Sequence, residues 1–307
     1  MRLRPAVDFS VYAVVRIFIC IVQAVRIETG QKIARFLAWL FADVLRIRGR
    51  VVDDNLLHAF ADLSAADRRQ LTRRMWEHLF LMVFEIAHTP RKIHETNWRD
   101  YITLHGEDLM MRLLVEDRPV LITTAHIGNF ETAGVILGLL GFPSHTVARK
   151  LDNPYLDRFV NQFRGSTGQF LIPKNGGYDQ ILAVLGSGGT MTFLADQYAG
   201  PKGCWVEFFG RPASAHKAIG LLAMENNAPV IIAYARRTDR PLHFELATYA
   251  VADPQLGGPE FASVKALTQW YTTRLEEVIR TVPDQYWWLH RRWKDTRVKR
   301  PAASKAA

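Results

Sequence analysis

At 307 residues, 49% of them hydrophobic, the chain can bury a full core, which argues against disorder for its body. Two widely separated cysteines, Cys20 and Cys204, without metal-ligand spacing, argue against a disulfide-stapled secreted scaffold and fit a reducing compartment. The net charge of +9 sits at the ends: residues 1–50 carry nine Lys/Arg against three Asp/Glu, and residues 290–307 seven against one, so the middle is slightly acidic. That distribution speaks against a nucleic-acid partner and for an anionic membrane surface.

Val7 to Val25, VDFSVYAVVRIFICIVQAV, has about the length of a membrane span. Arg16 near its centre costs about 2.5–3.5 kcal/mol on insertion. No small-residue cleavage site follows, which argues against a removable signal. The next stretch, QKIARFLAWLFADVLRIRGR, places apolar residues at 33, 36, 37, 40, 41, 44 and 45 beside basic ones, a helical stripe. Three arrangements are open for residues 1–50: one imperfect span, amphipathic helices in the interface, or a helical hairpin over the core. Together with the charge, membrane attachment is expected.

DLSAADRRQLTRRMWEHLFLMVFEIAHTP reads as a long helix. Ser64 with Asp67 starts it, positions 71, 75, 79, 82, 83 and 86 form its stripe, and Pro90 is expected just past its end. His78 and His88 lie on it with Glu85 but without metal-binding HExxH spacing, so they read as surface or core histidines.

From about residue 100 short β-rich runs (YITLHG, PVLITTA, SHTVAR, TMTFLAD, APVIIAYARR) alternate with helical patterns at 107–116, 129–140, 153–164, 177–186 and 215–226. A further strand is expected at 241–249 and a closing helix at 260–281. This is α/β texture: a mostly parallel β-sheet flanked by helices over residues 51–307, with a basic C-terminal tail, behind a helical membrane-associating region at 1–50.

The junction TAHIGNFE places His126 at the carboxyl end of a strand, where open α/β sheets bind ligands. Residues five apart on one helix point about 140° apart, so His126 and Glu131 can cooperate only if His126 lies in the loop and Glu131 in the first turn. Gly128 permits a tight turn and Asn129 suits a helix cap. A histidine held by a carboxylate is a general base, its tautomer fixed and its imidazolium stabilised. Asp196, closing the strand TMTFLA before Gln197, is the other carboxylate able to hold it. Arg164 suits either an oxyanion or a phosphate, and equally a helix C-terminus; Arg149, with Asn153 nearby, is the second choice. Gly210 fits a turn before Arg211, and Ser214 a helix cap. Arg292, behind the aromatic run YWWL, suits anionic headgroups. The letters RGSTG do not make a nucleophile elbow, and no metal or cofactor site is expected.

Together DDNLLHAF, TAHIGNFE, RKLDNPYLDRFVNQFR, FLADQ, FFGRPAS and PDQYWWLHRRWK resemble the bacterial lipid A late acyltransferases, a branch of the lysophospholipid acyltransferase superfamily, over nearly the whole chain. H-x4-[DE] marks the superfamily; NPYLDRFV and WLHRRWK are more specific to this branch. The F-P-E-G-T-R block usual in glycerol-phosphate acyltransferases is replaced here by FLADQ and FFGRPAS. The resemblance implies a glycerol-phosphate-acyltransferase-like fold at the cytoplasmic side of the inner membrane. It implies acyl transfer from acyl carrier protein, the co-substrate, to a hydroxyl of a lipid A precursor or related glycolipid, with no acyl-enzyme. His126 would be the base, with Glu131 orienting it or Asp196 competing for that role. Arg164 would lie near the reacting carbonyl, and the block around Gly210 and Arg211 would line the substrate cleft, with Asn129, Arg149, Asn153, Gln197 and Arg292 as further substrate-binding candidates. A lysophospholipid acceptor is the second enzymatic reading, and a non-catalytic membrane-binding protein the reading from another class.

Overall fold

The computed structural model describes residues 3–294, so the basic tail expected at the C-terminus lies outside the described residues after Lys294. Helix α1 (Leu3–Ala24) is followed by α2 (Ile27–Trp39), which runs on into a π-helical turn, Leu40–Val44. Then come α3 (Gly49–Ala59) and α4 (Ala65–Lys92). Residues Pro5–Ala24 of α1 have a mean hydropathy of 1.9, and Val22 alone among them is buried, so this helix lies on the outside. It is tied to the body at both ends. The Asn153 amide donates to the Asp8 carbonyl at 2.7 Å, and Gln23 donates to the Ala87 carbonyl of α4 at 2.8 Å. Arg16 stacks over Phe159, its guanidinium 4.6 Å from the ring centroid, so the charge at the middle of the apolar run rests on protein.

Helix α2 lies against α4 because Gly30 lets Phe84 in: a Cβ there would stand 2.6 Å from the ring. Between the π turn and α3, Arg46 and Arg48 hold φ of +49° and +54°. A side chain in this left-handed region costs roughly 1–2 kcal/mol per residue.

Helix α4 starts as its sequence predicts, with Ser64 Oγ accepting from the Asp67 amide at 3.1 Å. Ser64→Ala is expected to lower stability by about 1 kcal/mol, read from the midpoint of a denaturant titration. Two details differ from expectation. Val83, placed on the apolar stripe, is exposed. Pro90 lies inside the last turn, where it removes one N–H, and the Ile93 amide still closes on the Thr89 carbonyl at 2.9 Å.

The body is a seven-stranded sheet of order β1-β9-β8-β2-β5-β3-β4, parallel except for the β8–β9 pair. Its strands are β1 (Ile102–His105), β2 (Val120–Thr124), β3 (Ser144–Ala148), β4 (Gln169–Pro173), β5 (Thr190–Leu194), β8 (Val230–Arg237) and β9 (Phe244–Ala252). The intervening helices are α5 (Glu107–Leu114), α6 (Phe130–Leu139), α7 (Pro154–Gly165), α8 (Tyr178–Gly186), α9 (Lys217–Glu225) and α10 (Val264–Thr281). Alternation sorts the central strands between two layers. Leu121, Val230 and Ile232 pack with Ile219, Tyr271 and Leu275 of α9 and α10, whereas Val120, Ile122 and Ile231 pack with Leu113 and Leu137 of α5 and α6.

Strand β4 and the hairpin β6 (Cys204–Phe208) to β7 (Arg211–Ala215) are not among the strands expected from sequence. The hairpin turns on Phe209 and Gly210, both at positive φ (+52° and +70°), as two-residue turns require. Ser214 is therefore a strand residue, not a helix cap: its hydroxyl donates to the Gly200 carbonyl at 2.5 Å, and His216 stands at the N-cap of α9.

Candidate active site

His126 leaves the carboxyl end of β2 two residues after Thr124, in the loop before α6, as its spacing requires. The loop is held on both sides. The Trp287 amide donates to the His126 carbonyl at 3.0 Å, the Gly128 amide to the Gln285 carbonyl at 2.9 Å, and the Asn129 amide to the Ala235 carbonyl at 2.9 Å. Position 128 must be glycine: its φ is +57°, and a Cβ would come within 1.7 Å of the Ala235 oxygen.

Sheet register selects the partner of the histidine. Strands β2 and β5 pair with Thr124 opposite Leu194, so His126 and Asp196, each two residues further on, emerge side by side. His126 Nδ1 lies 2.8 Å from Asp196 Oδ1. The imidazole therefore donates from Nδ1 and presents the lone pair of Nε2, with Gln197 Nε2 3.3 Å away. Burial alone would lower the His126 pKa, but the charge and hydrogen bond of Asp196 outweigh it and raise the pKa above its ordinary value, Glu131 adding the smallest share. Asp196 is almost fully enclosed; burial would raise its pKa, yet His126 and neighbouring hydrogen bonds together depress it. Rings of Phe130 and Trp287 stand edge-on to the imidazole at 5.1 and 5.9 Å.

Glu131 does not orient His126. It occupies the first turn of α6, as expected, but its carboxylate grips the Arg164 guanidinium of α7 through two bonds, from Nε (3.0 Å) and from Nη2. That bidentate pair uses Nε and Nη2 and leaves Nη1 of Arg164 outside it, on a side chain at the rim of a cavity.

The cavity, about 190 Å³, lies on the α5/α6 side of the sheet. Alternate residues of parallel strands form its floor: Ile122 and Thr124, Thr146 and Ala148, Thr192 and Leu194, with Leu171 of β4. Ala133, Gly134 and Leu137 of α6 roof it, and Phe130, Glu131 and Arg164 stand together at the carboxyl-end rim.

Beneath the loop lies a buried polar network that was not recognised from sequence. Glu85, fully buried on α4, accepts from Arg237 Nε (2.5 Å) and Nη2 (2.7 Å), from the Leu242 amide (3.1 Å) and from Asn129 Nδ2 (3.1 Å). Arg237 Nη1 also donates to His78 Nδ1 (2.9 Å), whose Nε2 donates to the Gly128 carbonyl (3.1 Å). Burial, then the charge of Arg237, holds the His78 pKa well below its usual value, so it stays neutral. The only sequence signals were a carboxylate inside an apolar helix stripe and an arginine closing an apolar strand.

Several residues assigned to substrate binding are occupied with the fold. Asn129 is buried, its Oδ1 capping α6 on the Thr132 amide and its Nδ2 on Glu85. Asn153 caps α7 with its oxygen and holds α1 with its nitrogen. Arg149 pairs with Asp152 at the surface. Arg292, expected to face headgroups, is buried and donates to the Ser214 carbonyl at 2.6 Å. Gly210 makes the hairpin turn, and Arg211 begins β7 where its charge acts on His58. His290, overlooked as a site residue, is pushed down to about 4 chiefly by burial, so its neutral Nε2 accepts from the Tyr198 amide at 2.9 Å.

A family model described as bacterial lipid A biosynthesis acyltransferase matches residues 2–295. Among curated proteins, the chain is 23% identical over 256 residues to the lipid A biosynthesis lauroyltransferase and to the palmitoleoyltransferase of Escherichia coli (strain K12), covering 81% of this chain and 80% of each relative. A lipid A biosynthesis acyltransferase of Shigella flexneri matches to the same extent. Among solved structures, the 1-acyl-sn-glycerophosphate acyltransferase of Thermotoga maritima aligns with a TM-score of 0.41 at 13% identity, over 84% of this chain and 99% of that one.

Proposed function

Because the chain belongs to the bacterial lipid A biosynthesis acyltransferase family, we propose that it moves a fatty acyl group from acyl carrier protein onto a hydroxyl of a lipid A precursor, with His126 as general base. The observation that carries the base assignment is the Asp196–His126 hydrogen bond, which leaves Nε2 as the acceptor of a proton. The acceptor hydroxyl takes the place of the Gln197 amide at Nε2. As its oxygen attacks the thioester carbonyl, Nε2 takes the proton and Asp196 stabilises the imidazolium. Collapse of the tetrahedral intermediate breaks the carbon–sulfur bond, and the imidazolium returns the proton to the departing thiolate. The products are the ester and the free thiol of the carrier, and no acyl-enzyme or cofactor enters.

Arg164, held by Glu131, retains N–H donors for the oxyanion that develops in that step. The apolar cavity whose rim it shares is the place for the hydrocarbon chain. Leu171→Phe, which fills its floor, is expected to shift the preferred donor to shorter chains. Activity with the longest accepted chain should fall about 10-fold or more, in a series of acyl carrier protein thioesters of graded length.

Helix α1, with Val7, Val11, Val14, Phe18 and Ile21 exposed along it, attaches the enzyme to the membrane. Its ties to α4 and α7 favour a helix lying along the surface. Lipid A from a strain lacking the gene, analysed by mass spectrometry, tests the acceptor. Loss of one secondary acyl chain supports the proposal, and unchanged lipid A with an altered phospholipid profile moves the assignment to a lysophospholipid.

A further inference from the structure

A second cleft, of about 660 Å³, shares no lining residue with the apolar cavity. It lies between α3, the β6–β7 turn and the C-terminal segment, and its charged lining is Asp54, Arg211, Arg291 and Lys294, with His58. Asn55 ties α3 to that segment by donating to the carbonyls of Trp288 and His290, both at 2.8 Å. His290 in turn accepts from the amide of Tyr198, the residue after Gln197, which touches His126. The cleft is thus joined to the catalytic histidine through a short chain of contacts.

Arg48 stands immediately before α3, and its charge is felt at His290. Arg48, Arg291 and Lys294 are all exposed, and among the described residues none is ion-paired; the Lys294 ammonium rests 5.8 Å from the Tyr198 ring centroid. The backbone at Arg48 is held left-handed, as it is at Arg46, so a side chain here carries a conformational cost that glycine would not. Just before it Val44, Leu45 and Ile47 are exposed, so apolar and cationic side chains alternate along one loop beside the cleft, a composition suited to a lipid headgroup boundary.

We propose that Arg48, Arg291 and Lys294 form a phosphate-binding site that seats a phosphate of the membrane-borne acceptor while its hydroxyl lies at His126. Arg291 and Lys294 line the open cleft and Arg48 stands just before the helix that forms one of its walls. Their three charges outnumber that of Asp54 on the same lining and complement a phosphate's, and a guanidinium can grip it through two N–H groups. The chemistry is shared by the phosphate in the prosthetic arm of a carrier protein; the loop's exposed apolar residues favour the lipid. This inference rests on the acyl transfer proposed above.

The test compares wild type with Arg48→Gly and Arg48→Gly/Arg291→Gln. Glycine relieves the left-handed strain, so the melting temperature of the first variant is expected not to fall. With a phosphorylated lipid A precursor, the acceptor KM should rise on the order of 10-fold or more in the double variant while the donor KM stays put. With the same precursor after phosphatase treatment, wild type and variant should coincide. A rise confined to the donor KM would move the site to the carrier's phosphate, and no change in either would remove it. Flotation with neutral phosphatidylcholine vesicles containing the phosphorylated or the dephosphorylated precursor needs no turnover. Phosphate-dependent binding that the double variant loses, in a protein that transfers no acyl group, would sink the proposed reaction and keep the site.

Discussion

His126→Ala is expected to lower the turnover of acyl transfer by roughly 100- to 10,000-fold, the share that a positioned general base contributes. The pH dependence separates the two carboxylates more sharply. The base works only when neutral, and its pKa is raised, so the acidic limb of kcat/KM in the wild type is expected above pH 6.5, the ordinary histidine value. Asp196→Asn removes the charge that raises it and leaves burial, which lowers it; the limb therefore moves to lower pH while turnover at neutral pH drops. Glu131→Gln leaves the limb close to its wild-type position, because Glu131 makes the smallest contribution, and acts instead through Arg164. A limb that follows Glu131 and ignores Asp196 would overturn the assignment.

The second large effect is on stability. Glu85→Ala strands the Arg237 guanidinium, 9% exposed, against His78 without its carboxylate, and is expected to cost about 3–5 kcal/mol in chemical denaturation. Glu85→Leu combined with Arg237→Met removes both charges and should recover much of that loss. Its residual deficit would appear in turnover, since Asn129 and His78 would lose the partners through which they hold the loop of His126. Equal destabilisation of the single and double variants would show that the ion pair is not what the fold depends on here.

These two sites mark where sequence stops being sufficient. Strand β2 and α6 are legible because one is a continuous apolar run and the other opens on a Gly-Asn turn, and the helical geometry already confined His126 to the loop between them. The partner of His126 was legible only as a choice, since Asp196 lies 70 residues away and only the β2–β5 register brings it alongside. Glu131, the nearer candidate in sequence, starts a helix whose first turn faces α7. The Glu85–Arg237 pair spans 152 residues and follows no motif. Strand β4 is hidden for another reason: at the sheet edge it needs only a half-buried run, and QFLIP ends in proline. Asn129 and Asn153 had the right chemistry for substrate contact, but both ends of each amide are spent on caps and packing.

Helix α1, fastened at Asp8 and again at Gln23, cannot swing freely about a hinge. If it rests on the bilayer, the height and tilt of the cleft above the lipid are fixed with it. Encounter with the acceptor then becomes a search in two dimensions, governed by how many precursor molecules occupy each patch of membrane. The soluble carrier arrives from three dimensions. Bulk concentration would thus control the rate for only one of the two substrates, and diluting the acceptor with inert lipid should slow the reaction even at constant total amount.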